Sequence, residues 1–561
     1  MATWLFDRAI DRRCLLKVSL FGAAGATVGE SLIPRLIFGA EESGKAAGAD
    51  KSSAESPIAI TTAGKIRGFV DQQINVFKGV PYGGDTSQRR FQPSLAPSPW
   101  TETRDCLAFG PAAPVGGGGG QRKDNGVAIA DNREDCLRLN VWTPALRDGG
   151  KRPVMVYIHG GAYSSGTGNS NLYDGVHLCH RGNVVVVTMN HRLNVFGFLY
   201  LKELGGPEFA DSGNVGMLDL VLMLKWVRDN IAEFGGDPGN VLIFGQSGGG
   251  AKCATLMAMP EAHGLFHRVI SMSGQQVTAT QPEHATETAK QVLAALDITP
   301  ERIAEIKKIP VDRLLSAMRG HYFGPVKDGR SLPRDPFDPD APPLSASIPM
   351  MLGNTHDETV ALIGGSDASL FTLTWETLPG KIDQHIKQFL GDLKPSDVAE
   401  RYRKMYPSYS PSQVFFAATT AFRSWRSQVI ESERRAEQNS PGGTFVYQLN
   451  WGTERNGGRW AGHASDIPLA LDNVNNGSFF SPQDRSAANP EGQKMADIMA
   501  DTFIAFVRTG VPDNPRIPHW PSFNLKERPT MIFDLEPKIE DDPRGDERRL
   551  IETVSYTQPG T

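Results

Sequence analysis

Cysteine is scarce in this chain, with five residues in a length of 561. Domains that are held together by disulfides carry a much higher density of cysteine, so the chain does not belong to that class. The five cysteines also form no Cys-x-x-Cys pair, which structural zinc sites commonly use. We therefore expect neither a disulfide scaffold nor a metal site.

A large charge of one sign is also missing, since the formal net charge is -5. Proteins that bind nucleic acid or anionic membrane surfaces present dense positive charge, and the overall charge predicts neither partner. Hydrophobic residues make up 40% and charged residues 22% of the chain, which is ordinary for a soluble globular protein. A chain of this length can hold about two to four domains, or one extended α/β sheet.

The N-terminal region has no apolar run long enough to anchor the chain in a membrane. The run "VSLFGAAGATV" has eleven residues, and a bilayer-spanning helix needs about 20. It follows the paired arginines of "DRRCLLK", an arrangement that resembles a twin-arginine export signal. Arg-Arg also occurs three times elsewhere, so its position and the apolar run carry this prediction. We expect residues 1–45 to be an export signal and linker, with cleavage between Ala40 and Ala49.

The middle of the chain alternates strand-like and helical patterns. The segments "PVMVYIHG" and "NVVVVTMNHR" are continuous apolar runs, typical of parallel strands that are buried on both faces. The segment "VGMLDLVLMLKWVRDNIAEFGG" has helical spacing, and the strand-like runs "VLIFG" and "RVISMSG" follow it. This alternation predicts an α/β fold with a large, mostly parallel central sheet and helices on both faces.

Amphipathic helical patterns dominate two later segments, about 283–318 and about 381–406. We interpret these helices as inserts over the sheet and not as a second domain. Further strands are predicted at "IPMMLGN", "GTFVYQLNW" and "TMIFD".

Ser247 lies in "NVLIFGQSGGGAKCATLMA", where an apolar strand turns into a helix through several glycines. A G-x-S-x-G motif alone is weak, because 59 of the 561 residues are glycine. The strand before it and the helix after it favour a nucleophile in a sharp bend over a flexible turn with an incidental serine. In such a bend Gly245 and Gly249 must lack a side chain, and the N–H of Gly248 can donate to an oxyanion.

A second glycine-rich segment, "YIHGGAYSSG", follows a predicted strand. Its small residues allow loop N–H groups to converge on the oxygen of a tetrahedral intermediate, and each such donor can lower a barrier by about 3 kcal/mol. We interpret His159 in this segment as a loop histidine that orders the backbone.

The chain resembles the type-B carboxylesterase/lipase family of the α/β-hydrolase fold in four motifs that occur in the family's order, "EDCLRLNVWTP", "HGGAY", "FGGDPGNVLIFGQSGGG" and "GNTHDE". The resemblance extends from about Pro57 to Asp534. The family includes esterases, cholinesterases and the non-catalytic neuroligins. It implies that residues 46–561 form a single α/β-hydrolase catalytic domain, with helical inserts over the active site.

The family uses a Ser, then a Glu, then a His, and the resemblance carries these roles to individual residues. Ser247 matches the nucleophile. The acid falls on Glu358 in "MLGNTHDETV", with Asp357 beside it as the alternative. Glu358 would hold the imidazole of the base in one tautomer and stabilise its protonated form.

Three histidines follow the predicted acid and compete for the role of base. His385 lies in an amphipathic helical pattern, and His519 lies before a Trp-Pro pair that fits a structural loop. His463 lies in "WAGHASDIPLAL", which matches the family's histidine loop, and we predict it as the base.

The resemblance also assigns supporting residues. The oxyanion donors are the N–H groups of Gly161, Ala162 and Gly248. Ser273 and Asp466 match positions that help to hold the triad residues in place and do not contact the substrate.

Two departures from the family affect substrate choice. The residue before the nucleophile is usually Glu but is Gln246 here, which weakens attraction for cationic substrates. The loop "GVAIADNR" lacks the Trp that cholinesterases place there for cation–π contact. Both departures disfavour cholinesterase activity.

In the family Cys136 pairs with a cysteine just after "FGP", where this chain has alanines. Cys106 is the nearest candidate, and a Cys106–Cys136 bridge would fit an exported protein. We interpret Cys179 and Cys253 as buried thiols.

The leading hypothesis is an exported, periplasmic or secreted serine hydrolase that cleaves small-molecule carboxylic esters through an acyl-enzyme, with no cofactor. A carbamate or amide hydrolase with the same triad is the alternative within this chemistry. A neuroligin-like binding protein is the alternative outside it, and the retained triad argues against it. The substrate pocket would be built by the glycine-rich loop at Gly116–Gly120, the helical inserts and Trp451.

Overall fold

The computed structural model describes residues 56–116, 123–124, 127–128, 133–438, 441–475 and 490–559. The predicted export signal and residues 117–120 of the glycine-rich loop lie outside the described residues.

An eleven-stranded sheet forms the centre of the molecule. In chain order its strands are β1 (Phe69–Asp71), β2 (Ile74–Pro81), β3 (Arg138–Thr143), β4 (Arg152–Ile158), β5 (Val185–Met189), β6 (Gly236–Gln246), β7 (Arg268–Met272), β8 (Met350–Thr355), β9 (Thr444–Leu449), β10 (Pro529–Phe533) and β11 (Lys538–Asp541).

The spatial order of the strands is β11-β10-β9-β8-β7-β6-β4-β5-β3-β2-β1. Strands β4 to β10 pair in parallel, and β1 to β3 and β11 add antiparallel edges. The large, mostly parallel sheet predicted from the sequence is therefore confirmed. Because parallel strands are joined by crossovers, their carboxyl ends meet at one edge, where α/β enzymes place their sites.

Fifteen α-helices lie among the described residues, in addition to short 3₁₀ segments. They are α1 (Val176–Gly182), α2 (Asn194–Phe198), α3 (Lys202–Gly205), α4 (Val215–Asn230), α5 (Gly248–Met257), α6 (Pro282–Ala295), α7 (Val311–Ala317), α8 (Glu358–Leu362), α9 (Leu378–Ile386), α10 (Pro395–Met405), α11 (Pro411–Thr420), α12 (Arg426–Glu437), α13 (Ile467–Ala470), α14 (Pro490–Thr509) and α15 (Gly545–Ile551). None of the described helices combines the length and the apolar character that a bilayer crossing requires.

Alternate side chains of the central strands enter two different cores. On β4, Val154, Val156 and Ile158 pack into one hydrophobic cluster, whereas Met155 and Tyr157 pack into another. This is why the strands read as continuous apolar runs, since both faces of the sheet are covered.

A third hydrophobic cluster lies apart from the sheet and is built from helices. We call α9 to α12, with the turns between them, the helical cover. Tyr402, Phe415 and Phe422 are buried in this cluster, as are Leu550 and Ile551 of α15.

The helical segments differ from the sequence prediction in two places. The pattern "PERIAEIKKI" forms a 3₁₀ segment, Pro300–Lys308, where an α-helix was expected. Helices α11 and α12, which the sequence reading did not identify, are joined by a π-helical turn, Ala421–Trp425.

The bridge expected between Cys106 and Cys136 is not formed, because both residues are free thiols. Both are buried in the same hydrophobic cluster, where they pack as small apolar side chains. Burial raises the pKa of the Cys106 thiol to about 12, and burial also raises that of Cys136, which keeps both protonated. Cys179 and Cys253 are buried thiols, as expected.

Candidate active site

Ser247 occupies a strained bend between β6 and α5. Its backbone has φ 58° and ψ -130°, a region that residues with a side chain rarely adopt. Among residues 241–250, Ser247 is partly exposed and all the others are buried. The bend therefore presents one hydroxyl at the carboxyl end of the sheet.

The glycines on both sides of Ser247 are required by the neighbouring strand. A Cβ on Gly245 would lie 2.4 Å from the carbonyl oxygen of Ile158, and one on Gly249 would lie 2.0 Å from the same oxygen. Both distances are far below van der Waals contact, so neither position accepts a side chain in this backbone. These are the two glycines for which the sequence predicted a close approach.

Glu358 and His463 form a hydrogen-bonded pair. Glu358 begins α8 directly after β8, and its side chain is fully buried. One carboxylate oxygen, Oε2, accepts a hydrogen bond from His463 Nδ1. The other, Oε1, accepts hydrogen bonds from the backbone N–H of Thr355 at 2.8 Å and from its hydroxyl at 2.9 Å. The carboxylate is thus held in one orientation toward the imidazole.

The environment of Glu358 keeps this carboxylate ionised. Burial raises its pKa, but the attraction of His463 and the hydrogen bonds from His463 and the Thr355 N–H outweigh burial. The pKa of Glu358 therefore lies below its ordinary value. An ionised carboxylate at this position can stabilise a protonated His463.

The alternative acid and the alternative bases lie elsewhere. Asp357 pairs with His356 at 2.8 Å and accepts a hydrogen bond from the Ala461 N–H at 3.0 Å. His385 lies in α9 against the ring of Phe415. His519 is exposed and pairs with Asp513.

Ser247 and His463 line one open cavity. Its described lining residues are Ser247, Ser273, Gly274, Gln275, Leu362, Arg423, Ser424, Ser427, His463 and Pro559. Within the described chain the Ser247 hydroxyl makes no hydrogen bond. In ligand-free enzymes the contact between nucleophile and base is often long and shortens when substrate binds.

The loop after β4 lies against the first turn of α5. Gly161 and Ala162 both have positive φ, at 89° and 53°. A Cβ on Gly248 would lie 2.3 Å from the carbonyl oxygen of Ala162, so the loop and the bend are in direct contact. The N–H groups of Gly161 and Ala162 donate no hydrogen bond to the described part of the chain. The N–H of Gly248 is in the first turn of a helix, where donors lack intrahelical partners.

Lys252 forms hydrogen bonds to this loop, and no sequence motif predicted this role. Its side chain is fully buried in α5. The ammonium donates to the carbonyl of Ala162 at 2.7 Å and to that of His159 at 3.2 Å. Burial lowers the pKa of Lys252 to about 7. Burial, and then the charge of Lys252, lowers the pKa of His159 to about 3, so this imidazole is neutral and helps to order the loop.

Ser273 and Asp466 are both buried near the Glu358–His463 pair. Ser273 contributes to lowering the pKa of Glu358. Asp466 precedes α13 and accepts a hydrogen bond from the Tyr447 hydroxyl at 3.1 Å. Burial and then the charge of Glu358 raise the pKa of Asp466 to about 7, while His463 opposes this increase.

Gln246 contacts the imidazole that the bend faces. Its amide nitrogen lies 3.3 Å from Nδ1 and 3.2 Å from Nε2 of His463. A neutral amide therefore replaces the carboxylate that the family usually has at this position.

The cavity walls differ from the sequence prediction. Trp451 is buried in the sheet core and is not among the described lining residues. Arg423, Ser424 and Ser427 belong instead to the π-turn and α12, a segment that the sequence reading did not identify as helical. In the sequence this region is an ordinary polar stretch that contains "SW" and "RS" pairs. Neither pair indicates that the segment lines a cavity.

Comparison with known proteins places this geometry among esterases. The sequence model described as the carboxylesterase family matches residues 55–550. The para-nitrobenzyl esterase of Bacillus subtilis is 32% identical over 510 residues, which are 88% of this chain and 98% of that protein. The fumonisin B1 esterase of Sphingopyxis macrogoltabida is 31% identical over 482 residues, which are 83% of this chain and 84% of that protein. The solved structure of the carboxylesterase EST55 of Geobacillus stearothermophilus has a TM-score of 0.75 at 32% identity, covering 88% of this chain and 99% of that one.

Proposed function

The chain belongs to the carboxylesterase family and is a carboxylic ester hydrolase, and we propose that Ser247 is the nucleophile of this reaction. The family resemblance drawn from the sequence motifs is thereby confirmed. We assign the base to His463 and the acid to Glu358. The substrate is a small-molecule ester.

The reaction proceeds in two halves. His463 takes the proton of Ser247 as its oxygen attacks the ester carbonyl, and the tetrahedral intermediate places its negative oxygen at the N–H groups of Gly161, Ala162 and Gly248. His463 then protonates the leaving alcohol, which leaves an ester between the acyl group and Ser247. Water, deprotonated by the same imidazole, releases the acid and regenerates the hydroxyl.

The observation that carries this proposal is the buried Glu358–His463 pair facing the cavity that Ser247 lines. Burying a carboxylate completely costs free energy of folding unless the charge is paired and hydrogen-bonded. Here it fixes the tautomer of His463 and stabilises the imidazolium formed during attack. A binding protein that performs no chemistry would gain nothing from a strained serine beside this pair.

A fluorophosphonate probe tests the assignment, since it reacts with activated serines. We expect stoichiometric labelling of the wild type and none of Ser247→Ala. Ser424→Ala is the matched control, because Ser424 lines the same cavity, and it should label as the wild type does. Labelling that persists in Ser247→Ala, or is lost only in Ser424→Ala, would contradict the proposal.

We also propose that residues 1–45 direct export through the twin-arginine pathway. The proposal is supported by the paired arginines before a short apolar run. Replacing Arg12 and Arg13 by lysine should retain the protein in the cytoplasm of a host with this pathway. The same change at Arg548 and Arg549 is the control and should leave export intact. Equal export of all three proteins would refute the proposal.

A further inference from the structure

We infer that residues 554–559, which we call the strap, form a wall of the active-site cavity, and that Pro559 in this wall limits the size of the esters that reach Ser247. The inference rests on the proposed function, because it concerns which esters Ser247 attacks. The strap follows α15, and no sequence motif predicted a role for it.

The strap lies outside the part of the chain that matches the carboxylesterase family. The family model ends at residue 550, and the strap begins at Val554. Pro559 nevertheless lines the cavity together with Ser247 and His463. A family's common chemistry comes from the residues its members share, so a wall residue from outside the match is placed to affect substrate choice.

Gln558 fixes the strap to the sheet edge. Its side-chain oxygen Oε1 accepts hydrogen bonds from the backbone N–H groups of Val277 at 2.9 Å and of Thr278 at 3.2 Å. Both N–H groups belong to the segment after β7 that also carries Gly274, another residue of the cavity lining. Because Gln558 directly precedes Pro559, these hydrogen bonds hold the proline at a fixed place in the wall.

Tyr556 connects the strap to α12. Its hydroxyl donates to Gln558 Oε1 at 2.8 Å and lies 3.0 Å from the hydroxyl of Ser427, which also lines the cavity. Because a phenol has one proton, Ser427 is the donor in the second contact. A chain of hydrogen bonds therefore runs from α12 through the strap to the sheet edge.

Arg426 of α12 fixes the start of the strap. Its guanidinium donates to the carbonyl of Ser555 at 3.0 Å and to that of Val554. The side chain of Val554 is buried in the cluster of the helical cover, whereas Tyr556 packs against one of the two clusters of the sheet. The strap thus contacts both regions that build the cavity.

Pro559 has the properties of a rigid apolar wall. It is buried, its ring fixes φ, and it has no backbone N–H to offer a polar substrate. One methylene more or less against an apolar wall changes kcat/KM by about 10-fold to 200-fold. The preferred substrates are therefore esters whose group on the side of Pro559 is short.

The test varies one end of the ester at a time. p-Nitrophenyl butyrate and p-nitrophenyl octanoate differ in acyl length, and ethyl acetate and hexyl acetate differ in alcohol length. Acid release gives kcat/KM for each ester in the wild type, Pro559→Gly, Pro559→Phe and Gln558→Ala. Thr557→Gly is the matched control, because Thr557 is an exposed residue of the same strap. The ratio of the long to the short ester does not depend on the amount of folded enzyme.

We expect the long-to-short ratio to rise by about 10-fold or more in Pro559→Gly and to fall by a similar factor in Pro559→Phe, since the first change removes the wall and the second extends it. Gln558→Ala should raise the ratio, because the proline loses its fixed place. Thr557→Gly should keep the wild-type ratio. The series that responds identifies whether Pro559 faces the acyl or the alcohol group.

Unchanged ratios in both series for Pro559→Gly and Gln558→Ala would overturn the inference. A ratio that changes as much in Thr557→Gly as in Pro559→Gly would also overturn it, because a loosened fold and not a wall would then explain the change. If Pro559→Phe does not fold, the other two variants decide. Unchanged ratios in enzymes whose Ser247 is labelled by the fluorophosphonate probe leave the proposed function standing, whereas a wild type without labelling rejects the proposed function itself.

Discussion

The sheet edge and the helical cover contribute to one cavity in different ways. The sheet edge supplies Ser247, the loop at Gly161 and Ala162, and the Glu358–His463 pair, all placed by backbone that follows the carboxyl ends of parallel strands. The cover supplies Arg423, Ser424 and Ser427 from a π-turn and a helix. Main-chain contacts fix the positions of the groups at the sheet edge. The cover contributes side chains from a π-turn and a helix.

The two regions therefore differ in how well they tolerate substitution. At the sheet edge, the carbonyl of Ile158 leaves no space for one methyl group on Gly249. On the cover, a Cβ on Gly380 of α9 would meet nothing within 4 Å. We therefore expect chemistry to be sensitive to the sheet edge, and substrate choice to vary with the cover.

Alanine substitutions at these two glycines should differ most strongly in their effect on activity. In Gly249→Ala the new methyl must displace the backbone of Ile158, which leads into the oxyanion loop, so hydrolysis should fall by more than about 10⁴-fold. Gly380→Ala should keep wild-type activity and an equal or higher melting temperature, since alanine favours helix by up to about 1 kcal/mol. Steady-state hydrolysis and thermal unfolding of both variants measure this. Equal activities would contradict the comparison.

The next effect distinguishes two neighbouring acids at the sheet edge. Glu358→Gln removes the charge that faces His463, and kcat should fall by about 10³-fold to 10⁴-fold. Asp357→Asn is the matched control, because Asp357 contacts His356 and the Ala461 N–H instead. Asp357→Asn should lower the melting temperature, while kcat should stay far closer to the wild-type value than it does in Glu358→Gln. A larger loss of kcat in Asp357→Asn would assign the acid to that residue.

A smaller effect concerns the support of the oxyanion loop. Lys252→Met removes both hydrogen bonds to the loop carbonyls, so the donors of Gly161 and Ala162 lose their fixed position. We expect kcat to fall by about 10-fold to 100-fold with KM nearly unchanged, because an oxyanion forms only after substrate binds. Lys225→Met, at a half-buried lysine of α4 that pairs with Glu261, is the control. A rise in KM at constant kcat would show that Lys252 acts on substrate binding.

The smallest effect is a change of stability with pH on the cover. Burial raises the pKa of Glu431 from 4.5 to about 8 in the folded protein. A raised folded pKa stabilises the fold below the unfolded pKa, and that contribution is lost as the pH rises through 8. The melting temperature of the wild type minus that of Glu431→Gln should therefore fall between pH 5 and pH 9, by about 1–3 °C. Glu437→Gln, at the exposed end of α12, should show no such trend, and a constant difference for Glu431→Gln would contradict the argument.

The sequence predicted the sheet edge well because its geometry is imposed by steric rules. A serine among glycines between a strand and a helix has few conformations available, and the structure places Gly245 and Gly249 where those rules require. The resemblance supplied Glu358 and His463, and the structure brings them into contact.

The cover could not be predicted in the same way. Helices α11 and α12 have ordinary compositions, and the π-turn between them has no sequence signature that sets it apart from a continuous helix. Lys252 was missed because its role depends on two backbone carbonyls that are distant in sequence. The prediction of a Cys106–Cys136 bridge was wrong, because both residues are free thiols that pack in the core.

The sheet edge should form an acyl-enzyme on Ser247, whichever esters the cover admits. Acid quenching within milliseconds of mixing with p-nitrophenyl acetate, followed by peptide mass spectrometry, tests this directly. We predict a burst of p-nitrophenol equal to the enzyme concentration and one acetyl group on the peptide that contains Ser247. An acetyl group on another residue, or undiminished turnover in Ser247→Ala, would contradict the claim.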